Sequence, residues 1–299
     1  MKIEKYIIEN NKIQNDKTIA LISDMHLGNK LNTRHYNNVI DRIDLINPDY
    51  ITLVGDYFFG FGKYNFMYPE SRKLLLYYLD SLKEFAPVIM SLGNHDLSRL
   101  HEQELRESFK KLSHNGVYPL DNSNIIIDDF NFFGYFPPRK HFPIDDLTKK
   151  KEDIIIDDLK SLNDFQPIED KINILLSHLP NLVLNDNIQK NIEELKLYDV
   201  ILSGHAHNGY LRLPVENALI KLSDNLQKIK ILENYKEQLE ALKYYGFCES
   251  IVNEIPFVRK INRGIHDING SNLVVSKGAN ITHGHSESYI TEINLVRKK

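Results

Sequence analysis

Five short apolar runs in this chain each lead straight into a group that can bind a cation or move a proton. "TIALIS" (18–23) is followed by Asp24 and His26, "YITLVG" (50–55) by Asp56, and "PVIMSLG" (87–93) by Asn94, His95 and Asp96. "INILLSH" (172–178) ends in His178, and "DVILSG" (199–204) opens onto His205 and His207. Runs of this length, bounded by turn-forming residues, read as buried strands. Helical patterns lie between several of them. "NTRHYNNVIDRIDLIN" (32–47) spaces Val39, Ile43 and Ile46 for one face, and "SRKLLLYYLDSLKEF" (71–85) behaves likewise. Strand–helix–strand alternation calls for right-handed crossovers and a sheet core covered by helices. In open α/β sheets ligands sit beyond the carboxyl ends of the strands, so the five segments are placed to converge on one crevice.

The remaining chain fits around that core. "VYPLDNSNIIIDDFNFFGY" (117–135) suggests strands joined by turns, "GIHDINGSNLVVSKG" (264–278) a hairpin about Asn269-Gly270, and "SYITEINLV" one more strand. No internal repeat or low-complexity segment interrupts the 299 residues, which suffice for one large α/β domain spanning 1–299. From Ala218 to about Phe247 the steps Leu222, Leu226, Ile229, Leu232, Tyr235, Leu239 and Leu242 predict a long helix. We read roughly 215–262 as a helical elaboration of that domain. Packing on its own domain is the plain reading, with a cap over the site, a subunit contact and a peripheral membrane contact as the others.

Composition removes several function classes. The net charge is −4 and the basic residues are scattered, so no electrostatic footprint for a stable nucleic-acid complex is present, although a nuclease is not excluded. A lone cysteine, Cys248, leaves no internal disulfide and no thiolate cluster. The first residues lack the apolar core of a signal peptide and no run approaches a transmembrane length, so a cytoplasmic location is the default expectation. The chain specifies no oligomeric state.

The donor chemistry is more selective. Residues i and i+2 of an extended chain project to one side, which would aim Asp24 with His26, and His205 with His207, at common regions. Glycines at 55, 93 and 204 suit sharp turns and close backbone approach. Imidazole, carboxylate and one amide oxygen form a sulfur-free set that suits Zn, Mn, Fe or Ni better than Ca. Asp24, His26, Asp56, Asn94, His178, His205 and His207 are too many for one tetrahedral ion and enough for two sharing a bridge. His35, His101, His114 and His141 read as surface or structural residues. His266, His283 and His285 match no ligand pattern, and "PPRKH" (137–141) reads as a solvated loop.

The series "SDMHLG…GD…GNHD…SH…GHAH", in this order, resembles the motifs of the calcineurin-like metallophosphoesterases over residues 18 to about 214. "YLRLP" and "RGIHDINGSNLVVSKG" further resemble a bacterial branch of soluble phosphohydrolases that includes enzymes cleaving nucleotide-linked lipid diphosphates. The resemblance implies a four-layer αββα sandwich with a helical insertion and a centre of two divalent ions (Mn, Fe or Zn, with Mn the ion for work in vitro). Asp24, His26 and His207 would hold one ion, Asn94, His178 and His205 the other, and Asp56 would bridge them. His95 would face the substrate, and Asp96 would accept a hydrogen bond from it. The implied reaction is hydrolysis of a phosphodiester or pyrophosphate, in a small phosphodiester or nucleotide-diphosphate substrate, by a hydroxide bridging the ions. Ser/Thr protein phosphatases carry "GDxxDRG" where this chain has "GDYFFGFG", so the arginine that grips a phosphomonoester is missing. A non-catalytic scaffold of the same fold is the other class, but such proteins usually lack ligands that this chain keeps.

Overall fold

The computed structural model describes residues 1–27, 33–58, 66, 68–96, 102–135, 165, 167–180, 198–205, 263–268, 270–279 and 287–298. In chain order the elements are β1 (Lys2–Asn10), β2 (Lys17–Ile22), α1 (Thr33–Ile46), β3 (Tyr50–Val54), α2 (Pro69–Leu82), β4 (Val88–Ser91), α3 (Glu102–Lys110) and β5 (Val117–Pro119). There follow β6 (Ser123–Ile127), β7 (Phe130–Tyr135), β8 (Ile172–Ser177), β9 (Val200–Ser203), β10 (Gly264–Ile268), β11 (Ser271–Val275) and β12 (Tyr289–Arg297). They build two six-stranded mixed sheets, ordered β1-β12-β2-β3-β4-β5 and β10-β11-β9-β8-β7-β6. The centre of each is parallel: β2 to β5 in the first, and β7, β8, β9 and β11 in the second.

Period-2 alternation explains why these strands read as unbroken apolar runs. Ile19, Leu21, Val54 and Ile89 of the first sheet face Phe132, Ile174, Leu176 and Leu202 of the second, forming the core between the sheets. The intervening Ala20, Ile22, Ile51, Leu53, Val88 and Met90 face the other way, onto Val39 and Ile43 of α1, Leu75 and Leu79 of α2, and Leu105 and Phe109 of α3. A strand buried on both faces needs apolar residues at every position. The second sheet repeats this: Phe133, Leu175 and Ile201 are buried on its outer face, with Phe165 against Phe133 and Tyr198 at ring distances of 5.0 and 4.6 Å. The α/β sandwich expected from the sequence is therefore present, with helices over one sheet.

Two elements escaped the sequence reading. β1 pairs with β12 from Lys2↔Tyr289 to Asn10↔Arg297 at the sheet edge, where Ile7 is 68% exposed, so its pattern lacks a buried run. α3 buries little beyond Leu105 and Phe109, too few apolar positions for a periodic signal. The helix expected within 215–262, the cluster at 137–141, and His207, His283 and His285 lie outside the described residues. Among the described residues no helix is long and apolar enough to cross a membrane.

At the amino ends of the parallel strands, side chains tie the sheets together. Tyr50 Oη donates to Asp128 Oδ2 (2.7 Å), and Asn10 Nδ2 and Lys12 Nζ donate to the two oxygens of Asp199 (3.1 and 2.8 Å). The carboxyl ends, at the opposite end of the sandwich, carry the candidate site.

Candidate metal centre

Backbone conformation is the first sign of a site. Asp24, His26, Asp56 and His205 all sit at positive φ, at 55°, 46°, 56° and 68°. A side chain is uncommon there, and strain of about 1–3 kcal/mol per residue persists only where the surroundings enforce it. Here neighbouring loops enforce it: Asp24 N donates to Gly55 O, His26 N to Asp56 O and Gly204 N to His178 O, at 3.1, 3.0 and 3.1 Å. The expected extended projection of Asp24 and His26 is therefore corrected. They converge by a left-handed turn after β2, not as alternate residues of a strand.

The side chains gather into two groups. Ligand atoms of Asp24, His26 and Asp56 lie within 4.8 Å of one another, as do those of Asp56, His178 and His205. Asp56 belongs to both. His178 Nδ1 is 2.8 Å from the carbonyl oxygen of Val54 and donates to it, which turns Nε2 toward Asp56 Oδ2 at 3.1 Å and Asp24 Oδ1 at 3.8 Å. His26 Nε2 approaches the same Asp56 oxygen at 4.0 Å. The His205 backbone N–H reaches the Asp24 carboxylate at 3.1 and 3.2 Å, and its ring stands 5.3 Å from that of His178.

Electrostatics favour a cation at this point. Burial opposes a charged ring on His178, but the Asp56 and Asp24 carboxylates outweigh it and lift its pKa to about 10. Burial alone would raise Asp56, yet His178, His95 and His26 hold it well below the usual carboxylate range. Asn94 Oδ1 is buried with no hydrogen bond among the described residues, and the buried Asp56 Oδ2 and His178 Nε2 face each other at 3.1 Å without forming a well-directed one. An unsatisfied buried polar atom costs about 1–3 kcal/mol, and divalent ions would satisfy all three at once. The nitrogen–oxygen donor set fits a first-row transition ion or zinc.

His95 is half-buried at the rim, its ring 5.2 Å from that of His26, and its backbone N–H donates to Asp56 Oδ1 at 2.8 Å. The Asp96 carboxylate accepts the backbone N–H groups of Asp56, Tyr57, Phe58 and Gly93. Both oxygens are thus engaged by backbone N–H groups, which makes Asp96 an anchor of the loop after β3. Sequence reasoning also missed Tyr57, whose fully buried hydroxyl lies 2.6 Å from Ser91 O and 3.0 Å from Leu53 O, tying β3 to β4. An aromatic residue directly after "GD" was its only signal.

Close approach explains two glycines. A Cβ on Gly93 would lie 2.3 Å from both the nitrogen and Oδ1 of Asp56, and one on Gly204 would lie 2.6 Å from Ser23 Cβ. Gly93→Ala is expected to lower stability by about 1–3 kcal/mol, as overpacking does, and to displace the shared carboxylate. Thermal melts with and without Mn should show a lower melting temperature and a smaller metal-induced rise than the parent protein shows.

Comparison with known proteins follows the same line. The sequence model of the calcineurin-like phosphoesterase family matches residues 17–209. An uncharacterized metallophosphoesterase of Campylobacter jejuni is 24% identical over 213 residues, covering 70% of this chain and 49% of that protein. The uncharacterized metallophosphoesterase YkoQ of Bacillus subtilis is 27% identical over 148 residues, 48% of this chain and 47% of its own. One from Aquifex aeolicus is 27% identical over 218 residues, 71% of each chain. The chain spans about half the length of the first two. Among solved structures, TT1561 of Thermus thermophilus aligns over 89% of this chain and 91% of its own at 12% identity, with a TM-score of 0.39.

Proposed function

The chain belongs to the calcineurin-like phosphoesterase family, and from that premise we propose that it hydrolyses a phosphodiester or pyrophosphate bond with two divalent cations. The observation that carries this reading is Asp56, common to both ligand groups. Asp24 and His26 would hold one ion with His207, and Asn94, His178 and His205 the other. Bound there, the ions would supply Lewis-acid charge and water of lowered pKa.

The chain's own residues have separate tasks. His95 stands at the rim, where a ring can hydrogen-bond a phosphoryl oxygen and pass a proton to the leaving oxygen. Its backbone bond to Asp56 Oδ1 fixes where that ring begins, so proton donor and ligand set keep a constant separation. In "GDYFFGFG" no guanidinium stands ready for the second charge of a phosphomonoester. That supports a singly charged diester or a nucleotide diphosphate in the cytoplasm as substrate, and weighs against a phosphoprotein.

The test is metal analysis of Mn-loaded protein joined to a panel of an activated phosphodiester, a phosphomonoester, a nucleotide-diphosphate ester and an oligonucleotide. Diester or diphosphate cleavage that disappears with chelator is expected. Preference for the monoester or the oligonucleotide would overturn the substrate class, and metal-loaded protein inert on the whole panel would overturn the enzyme. Chelation should also lower the melting temperature, because an ion at one hundred times its Kd stabilises by about 2.7 kcal/mol.

A further inference from the structure

Asp96 is fully buried, and four backbone N–H groups converge on its carboxylate. Asp56 N and Gly93 N donate to Oδ2 at 2.9 Å each, while Tyr57 N and Phe58 N donate to Oδ1 at 2.9 and 3.3 Å. Three of these come from consecutive residues, which form a concave anion nest after β3. A carboxyl group has about four lone-pair directions, so four N–H donors match its accepting capacity, while burial and the neighbouring Asp56 charge push its pKa up to about 8. An asparagine would present one oxygen and turn its NH2 against two N–H groups.

The nest surrounds a left-handed turn that carries Asp56. Gly55 and Asp56 are consecutive at φ 68° and 56°, and the bonds to Asp96 hold the chain in that turn. In return Asp56 Oδ1 accepts the N–H of His95, next in sequence to Asp96. Each aspartate therefore binds the backbone of the other's loop. With Oδ1 fixed in this way, Oδ2 is the atom turned toward His178 and His26.

We infer that Asp96 is the positioning residue of this centre: it sets the orientation of Asp56 between the two ligand groups and the place of His95, and takes no part in proton transfer. The inference rests on the hydrolase reading above. Asp96→Asn tests it. Wild-type protein loaded with Mn should bind two ions with an exchange-coupled magnetic resonance spectrum. The variant should bind Mn about 10–100-fold more weakly, the usual cost of losing a group that orients a ligand. The coupled signal should vanish, kcat should fall with KM nearly constant, and the pH profile should keep its shape.

A variant with two coupled ions and a displaced pH limb would overturn the inference and return Asp96 to His95. Unchanged coupling and kcat would overturn it as well. Should the variant fail to fold, amide exchange in metal-free wild-type protein decides. Slow exchange at residues 56, 57, 58 and 93 is expected, and fast exchange there refutes the nest. Absence of Mn binding by the wild type would instead bring down the hydrolase reading, a result separable from all of these.

Discussion

Asp56→Asn should reduce kcat/KM by at least about 10²–10³-fold, the scale of losing one group that stabilises charge in a transition state. Two ligand groups share this carboxylate, so one substitution weakens both. The amide retains an oxygen that can accept the His95 N–H, which preserves the loop contact now made at 2.8 Å. What it loses is the negative charge that His178 and His26 face. Metal analysis should show stoichiometry falling below that of the parent protein. Full metal content and full activity in the variant would show that Asp56 is not the shared ligand.

His95→Ala separates chemistry from assembly. The contact between this residue and Asp56 is made by the backbone N–H, which alanine keeps. Metal content and KM should therefore be retained while kcat falls about 10²–10⁴-fold, the range expected when a general acid is removed. The loss should be smallest for substrates whose leaving group needs no proton, such as nitrophenolate, and largest for alkoxides. A comparable loss for both would move His95 from acid to electrostatic contact.

Much of this centre was legible because strand ends are one-dimensional features. An apolar run followed by Asp24, Asp56, Asn94, His178 or His205 marks both where a strand stops and what it delivers. The parallel topology then brings those ends together. The role of Asp96 was not legible, because its partners are backbone N–H groups that leave no trace in residue identity. Nor were the positive φ angles at Asp24, His26, Asp56 and His205, since Asp and His adopt that conformation more often than most residues yet too rarely to mark it. β1 stayed hidden for a related reason. An edge strand alternates charge with apolar residues and takes its place from β12, nearly the whole chain away.

The six described ligand candidates are divided between the sheets: Asp24, His26, Asp56 and Asn94 follow strands of the first, His178 and His205 strands of the second. The Tyr50–Asp128 bond and the Asp199 ties join the sheets at one end, and divalent ions at the other would join them a second time.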